Sequence, residues 1–149
     1  MSSLLHQNKR LWQKHVIAEN KRSIEGLLAT LCDQPVYKIM ATGEEFRGKE
    51  AVAAFYTALF EAFPDADFEL IDAFIGEAGV VEESVLRGTH TGTWLGVEGS
   101  GKKLDLPLTI VFPMKDGQIL GERMYFDWQT FLRGVGKTEA ESISSLANE

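Results

Sequence analysis

Cysteine is almost missing from this chain: Cys32 is the only thiol in 149 residues, so no internal disulfide can form. That fits a reducing compartment, and the expected localisation is cytoplasmic. Uninterrupted apolar runs are missing too. His6, Lys9, Arg10 and Lys14 break up the stretch from Leu4 to Val16, which leaves no room for a signal peptide or a membrane span. Positive charge is in deficit, with 15 Lys and Arg against 22 Asp and Glu for a net charge of −7. Such a field repels phosphate backbones and anionic lipid, so neither nucleic acid nor membrane is an expected partner. His6, His15 and His90 lie far apart, and none has a second ligand type at a familiar metal spacing. No metal is expected. The Gly-x-Ser-x-Gly elbow of serine hydrolases does not occur. Cys32, in an apolar stretch that reads as helix and without a neighbouring base, reads as a structural thiol. Gly96 to Lys102 has the spacing of a phosphate-binding loop, but Lys103 stands where Ser or Thr would hold magnesium, and strand alternation follows in place of a helix. It reads as a glycine-rich hairpin loop.

What is present is an ordinary globular composition, 44% hydrophobic and 25% charged, at a length that suits one core. The reading is one domain over 1–136 and a polar tail over 137–149. The first thirty residues carry apolar positions at helical spacing, bent into two segments by the polar run Glu19 to Arg22. Val36 to Met40 reads as a strand leading into a turn at Gly43. A second helix begins near Lys49, with Val52, Phe55, Tyr56, Leu59, Phe60 and Phe63 as its apolar stripe, and Pro64 ends it. Four strands follow, Asp67 to Ile75, Val80 to Thr91, Lys103 to Phe112 and Gln118 to Phe126, with Asp116-Gly117 as a hairpin turn. They predict an antiparallel meander, and helices followed by strands predict an α+β fold.

The last strand carries the candidate chemistry. Arg123, Tyr125 and Asp127 share one face, and Glu122, Met124 and Phe126 the other. If the first face is concave, it supplies convergent polar groups to an apolar cavity, the usual make-up of a small-molecule site. Asp127 reads either as the cap of a short closing helix or as an acid/base. His90, between Gly88 and Gly92, reads either as a structural histidine or as one re-aimed into the cavity by a bulge. Trp12, Tyr56, Phe60 and Trp94 are the candidate aromatic lining. Met124 and Phe126, placed on the convex face, would need cover, which predicts a homodimer.

Phe46-Arg-Gly48-Lys-Glu-Ala-Val52, Ala62-Phe-Pro-Asp65, Gly88-Thr-His-Thr-Gly92, Asp116-Gly117-Gln-Ile119 and Glu122 to Asp127 together resemble the SnoaL-like polyketide cyclases. These lie within the nuclear-transport-factor-2-like superfamily, which also holds ketosteroid isomerase, scytalone dehydratase and limonene epoxide hydrolase. The resemblance implies a cone-shaped, curved mixed sheet wrapped around N-terminal helices, a cystatin-like α+β roll. It implies a homodimer, no metal or organic cofactor, and a small apolar organic ligand. It also implies that Asp127 can be the acid/base of an intramolecular aldol ring closure; the leading reading of the residues is then a small cofactor-free enzyme acting on an apolar carbonyl compound, with His90, Tyr125 or Arg123 orienting the substrate oxygen. The chain departs from the family at Val97-Glu-Gly-Ser-Gly101, where a Pro-Pro-Thr-Gly stretch is common, and at Gly134-Val135-Gly136. The alternatives are a non-catalytic binding protein of the same fold and an enzyme like limonene epoxide hydrolase, of whose Asp-Arg-Asp set Arg123 and Asp127 supply only part.

Overall fold

The computed structural model describes residues 3–137, so nearly all of the expected polar tail lies outside the described residues. Helix α1 (Ser3–Asn20) turns Asn8, Trp12, His15 and Ala18 inward, at steps that keep one helical face buried. It breaks at Arg22, whose φ of 54° is left-handed. Helix α2 (Ile24–Ala29) restarts with the Ser23 hydroxyl accepting the Gly26 N–H. No helix among the described residues is long and apolar enough to cross a membrane.

Strand β1 (Leu31–Ile39) begins well before Val36, so Cys32, expected in a helix, lies half-buried in a strand. The polar Asp33 and Gln34 and the proline at 35 disguise this start, and an irregularity in pairing between Leu31 and Val36 absorbs them. Strand β2 (Glu44–Arg47) pairs antiparallel with β1 and had no apolar signal to reveal it. It is a charged edge strand, which discourages pairing with a further strand. Helix α3 (Lys49–Ala62) buries Val52, Phe55, Tyr56, Leu59 and Ala62. It ends because Phe63, preceding Pro64, is driven out of helical geometry to φ −130° and ψ 78°.

Strands β3 (Asp67–Gly76), β4 (Gly79–Thr89), β5 (Lys103–Lys115) and β6 (Gln118–Tyr125) form the expected antiparallel meander. Strand β6 then pairs parallel with β1, giving one mixed sheet in the order β2-β1-β6-β5-β4-β3. Helix α4 (Trp128–Gly134) follows. The inner, helix-covered face of β5 carries the buried Leu104, Leu106, Leu108, Ile110, Phe112 and Met114 at alternate positions. The fully buried Leu and Phe residues each contribute roughly 1.5–3 kcal/mol relative to exposure.

One irregularity decides which side chains β6 sends inward. From the Asp116-Gly117 turn the ladder starts at Lys115↔Gln118 and Met114↔Ile119, yet further on Ile110 faces Met124 and Val111 faces Arg123. Strand β6 has therefore gained one residue, and a one-residue gain exchanges the two faces of a strand. Gly121 lies in this stretch with φ 149°, and a Cβ there would sit 1.9 Å from the Val36 carbonyl oxygen. Beyond it, Glu122 and Met124 are buried with Ile110, while Arg123 and Tyr125 face out. This reverses the expected orientation, in which Arg123, Tyr125 and Asp127 lined the cavity and Met124 lay outside.

Candidate functional site

Polar side chains from both leading helices, α3 and three strands meet inside this apolar layer. His15 and Glu122 are 1% and 3% exposed, and Tyr37 and Tyr56 are 1% each. His15 Nδ1 lies 2.8 Å from Thr30 Oγ1, and its Nε2 lies 3.0 Å from Glu122 Oε1. The Tyr56 hydroxyl lies 3.2 Å from His15 Nε2 and also 3.2 Å from the same Glu122 oxygen, to which it donates. Its one proton being committed there, Tyr56 accepts from the Tyr37 hydroxyl at 2.5 Å. Beside this group the Trp12 indole N–H donates to Glu82 Oε1 at 2.9 Å. Phe112 closes the far side, edge-on to the His15 ring with centroids 5.4 Å apart.

A bare nitrogen lone pair facing a bare carboxylate oxygen at 3.0 Å would be repulsive, so one proton lies between His15 Nε2 and Glu122 Oε1. It belongs either to an imidazolium facing a carboxylate or to a carboxylic acid facing an imidazole. The pair has no net charge in either form, which is what a dry interior tolerates. Burial, and then the adjacent Glu122, push both phenols well above their ordinary range, so Tyr37 and Tyr56 stay protonated donors. Burial also raises the Glu82 carboxyl, against the pull of the Trp12 N–H. Glu19 is only half-buried as a residue, yet burial followed by Glu122 and Glu82 holds its carboxyl well above the usual range. Among the described residues, no group of three or more His, Cys, Asp or Glu is arranged to hold a metal ion.

The sequence profile of the SnoaL-like polyketide cyclases matches residues 8–135. The chain belongs to that family. A protein from Jannaschia sp. CCS1 designated a SnoaL-like polyketide cyclase has a similar structure, with a TM-score of 0.83 at 22% identity over 93% of this chain and 97% of that one. A protein from Xanthomonas campestris pv. campestris designated a polyketide cyclase gives 0.79 at 22% identity, covering 90% and 100%. TerC, co-crystallised with polyporic acid, gives 0.72 at 16% identity, covering 87% and 98%. At these identities the likeness carries the fold, a six-stranded α+β architecture of nuclear-transport-factor-2-like type. A comparison with curated proteins finds no match.

Within this member of the SnoaL-like family the expected site residues divide into three places. Trp12 and Tyr56 belong to the interior group, and Phe60 adjoins it, stacked on Tyr56 at 6.0 Å with the Arg22 guanidinium 5.3 Å from its ring centre. His90 and Trp94 sit in a separate aromatic cluster with Phe63 and Phe131. His90 is fully buried, its Nδ1 accepts the Ser100 N–H, and burial lowers its pKa. Strand β4 pairs with β5 without a shift as far as Thr89↔Lys103, and beyond it two residues stand opposite His90: its N–H donates to the Lys102 carbonyl at 2.9 Å, and its carbonyl accepts the N–H of Gly101, whose φ is 72°, at 2.7 Å. Gly92 lets the chain pass close to α3, where a Cβ would come 3.2 Å from the Ala62 Cα.

Arg123, Tyr125 and Asp127 are exposed. Asp127 caps α4 by accepting the Thr130 N–H at 3.0 Å and the Thr130 hydroxyl, and these two bonds hold its carboxyl below the ordinary range. Phe126, expected on the convex face, is half-buried and stacked on Trp94. Glu122, His15, Tyr37 and Glu82 were not anticipated as site residues. A signal for His15 was present: it shares with Asn8 and Trp12 the inward face of a helix otherwise read by its apolar positions.

Proposed function

We propose that the protein performs cofactor-free acid/base chemistry on a small apolar carbonyl compound, with Glu122 and His15 as the proton-transfer pair. The observation that carries this reading is the 3.0 Å contact between His15 Nε2 and Glu122 Oε1 in a buried, aromatic-walled setting. A carboxylate there can remove a proton from carbon next to a carbonyl, and the electron pair left on carbon delocalises into the carbonyl as an enolate. If that carbon attacks a second carbonyl in the same molecule, a ring closes and the protonated pair returns its proton to the new alkoxide oxygen. Atoms balance with no oxidant or leaving group. Tyr56 holds the Glu122 carboxyl in place by donating to it.

In this reading Asp127 is a helix cap, and proton transfer moves from the start of α4 to the inner face of β6. A second reading, binding without turnover, is favoured by the co-crystallisation of TerC, a protein of the same fold, with polyporic acid. The two separate on one assay: deuterium exchange from D2O into the carbon-bound acidic proton of a β-ketoester probe, followed by NMR. Acceleration by the wild type above buffer, lost by roughly 100-fold in Glu122→Gln, is the expected result. Equal rates for the two proteins would refute the catalytic reading.

The assembly belongs to the same proposal. The outer face of the sheet carries the exposed Ile71, Phe74 and Tyr125 around a groove of about 580 Å³ and another of about 410 Å³. A second copy of the chain covering this face forms the homodimer, through Tyr125 and its neighbours in place of Met124.

A further inference from the structure

Thr30 closes α2 and is 1% exposed, and its hydroxyl sits between two partners. At 2.6 Å from Thr30 Oγ1 lies the Leu27 carbonyl oxygen, and at 2.8 Å lies His15 Nδ1. A carbonyl oxygen has no proton to give, so the one proton of the threonine must point at Leu27. The hydroxyl can then only accept from His15, and Nδ1 must carry N–H. The other ring nitrogen, Nε2, is left as the end at which the imidazole gains or loses its proton, and it faces Glu122 Oε1 at 3.0 Å.

We propose that Thr30 is a positioning residue for the proton-transfer pair: by accepting the Nδ1–H of His15 it locks the imidazole tautomer and aims the exchangeable proton along the line to Glu122. The inference rests on the proposed role of His15 and Glu122, but its direct readout needs no substrate. Neighbouring constraints point the same way. The Thr30 N–H also bonds to Leu27 O at 3.1 Å, and its carbonyl accepts the Ile119 N–H at 2.9 Å. The residue is thus pinned between the end of α2 and the strand that carries Glu122. Thr30→Val keeps the shape of the side chain and removes the acceptor, and Thr30→Ser keeps the acceptor.

The experiment is nitrogen-15 NMR of the imidazoles in the wild type and the two variants, the His15 signals assigned with a His15→Gln control, alongside the β-ketoester exchange assay. The expected result is a protonated, pyrrole-type Nδ1 in the wild type and in Thr30→Ser, and a pyridine-type or exchanging Nδ1 in Thr30→Val. Exchange should fall roughly tenfold or more in Thr30→Val, the scale for losing the partner that fixes a histidine tautomer, and recover in Thr30→Ser. A pyridine-type Nδ1 in the wild type would overturn the inference even if Thr30→Val failed to fold. So would a folded Thr30→Val that keeps its pyrrole-type Nδ1, or one that loses it with exchange unchanged. Should the wild type fail to accelerate exchange, the catalytic reading falls while the nitrogen shifts still decide whether Thr30 locks the tautomer.

Discussion

At the scale of single residues the interior is crowded with acid: Glu19, Glu82 and Glu122 influence one another, and His15 is the basic partner of the last. A carboxyl whose folded pKa is raised favours folding while it is protonated in both states, and that contribution is lost as pH rises through the folded value. The melting temperature of the wild type should therefore fall as pH climbs from about 4.5, the ordinary glutamate value, through the raised values of Glu19 and Glu82. Glu19→Gln should flatten part of this decline and melt a few degrees above the wild type at pH 8. Scanning calorimetry across pH checks it, and an unchanged pH slope would show that Glu19 is ionised at no cost. Nothing in composition or spacing marks these glutamates as buried, because Glu is ordinarily a surface residue. Only the packing around them distinguishes Glu82 from its exposed neighbour Glu83.

Among the elements, the helices and the four-strand meander were legible because their apolar positions repeat at helical or strand period. Strand β2 was not, since Glu44, Glu45 and Arg47 give an exposed edge no hydrophobic pattern. The faces of β6 were missed for a different reason. Two-residue alternation correctly grouped Glu122 with Met124 and Arg123 with Tyr125, but which group points inward depends on the residue gained near Gly121 and on the strands on either side. Gly121→Ala should cost about 3 kcal/mol or more in denaturant unfolding, because its Cβ meets the β1 backbone rather than a side chain that could move. A cost below about 0.5 kcal/mol, the range of ordinary surface changes, would mean that the bulge shifts easily and that Glu122 is not firmly held.

For the whole molecule the exposed outer face sets the expected assembly. Stable pairs bury on the order of 1,200–2,000 Å² in total, and an open sheet face with apolar grooves can supply that area. Light scattering should give twice the chain mass at micromolar concentration, and Tyr125→Glu, which puts a charge beside the groove, should shift the population toward monomer. A monomeric wild type would remove the outer face from the account. The family was legible from short motifs spread over most of the chain. The candidate site was legible only in part, because Trp12, Tyr56 and Phe60 announce an aromatic interior while the His15–Glu122 contact joins α1 to β6 across more than a hundred residues.

We assign proton transfer to Glu122 on the inner face of β6 and not to Asp127 at the cap of α4. The most direct test of this assignment is the β-ketoester exchange rate of Glu122→Gln set against that of Asp127→Asn, since asparagine caps a helix about as well as aspartate but carries no titratable carboxyl. The expected result is a loss of roughly 100-fold for Glu122→Gln and a wild-type rate for Asp127→Asn. The reverse pattern, with Asp127→Asn inactive and Glu122→Gln unimpaired, would contradict the assignment.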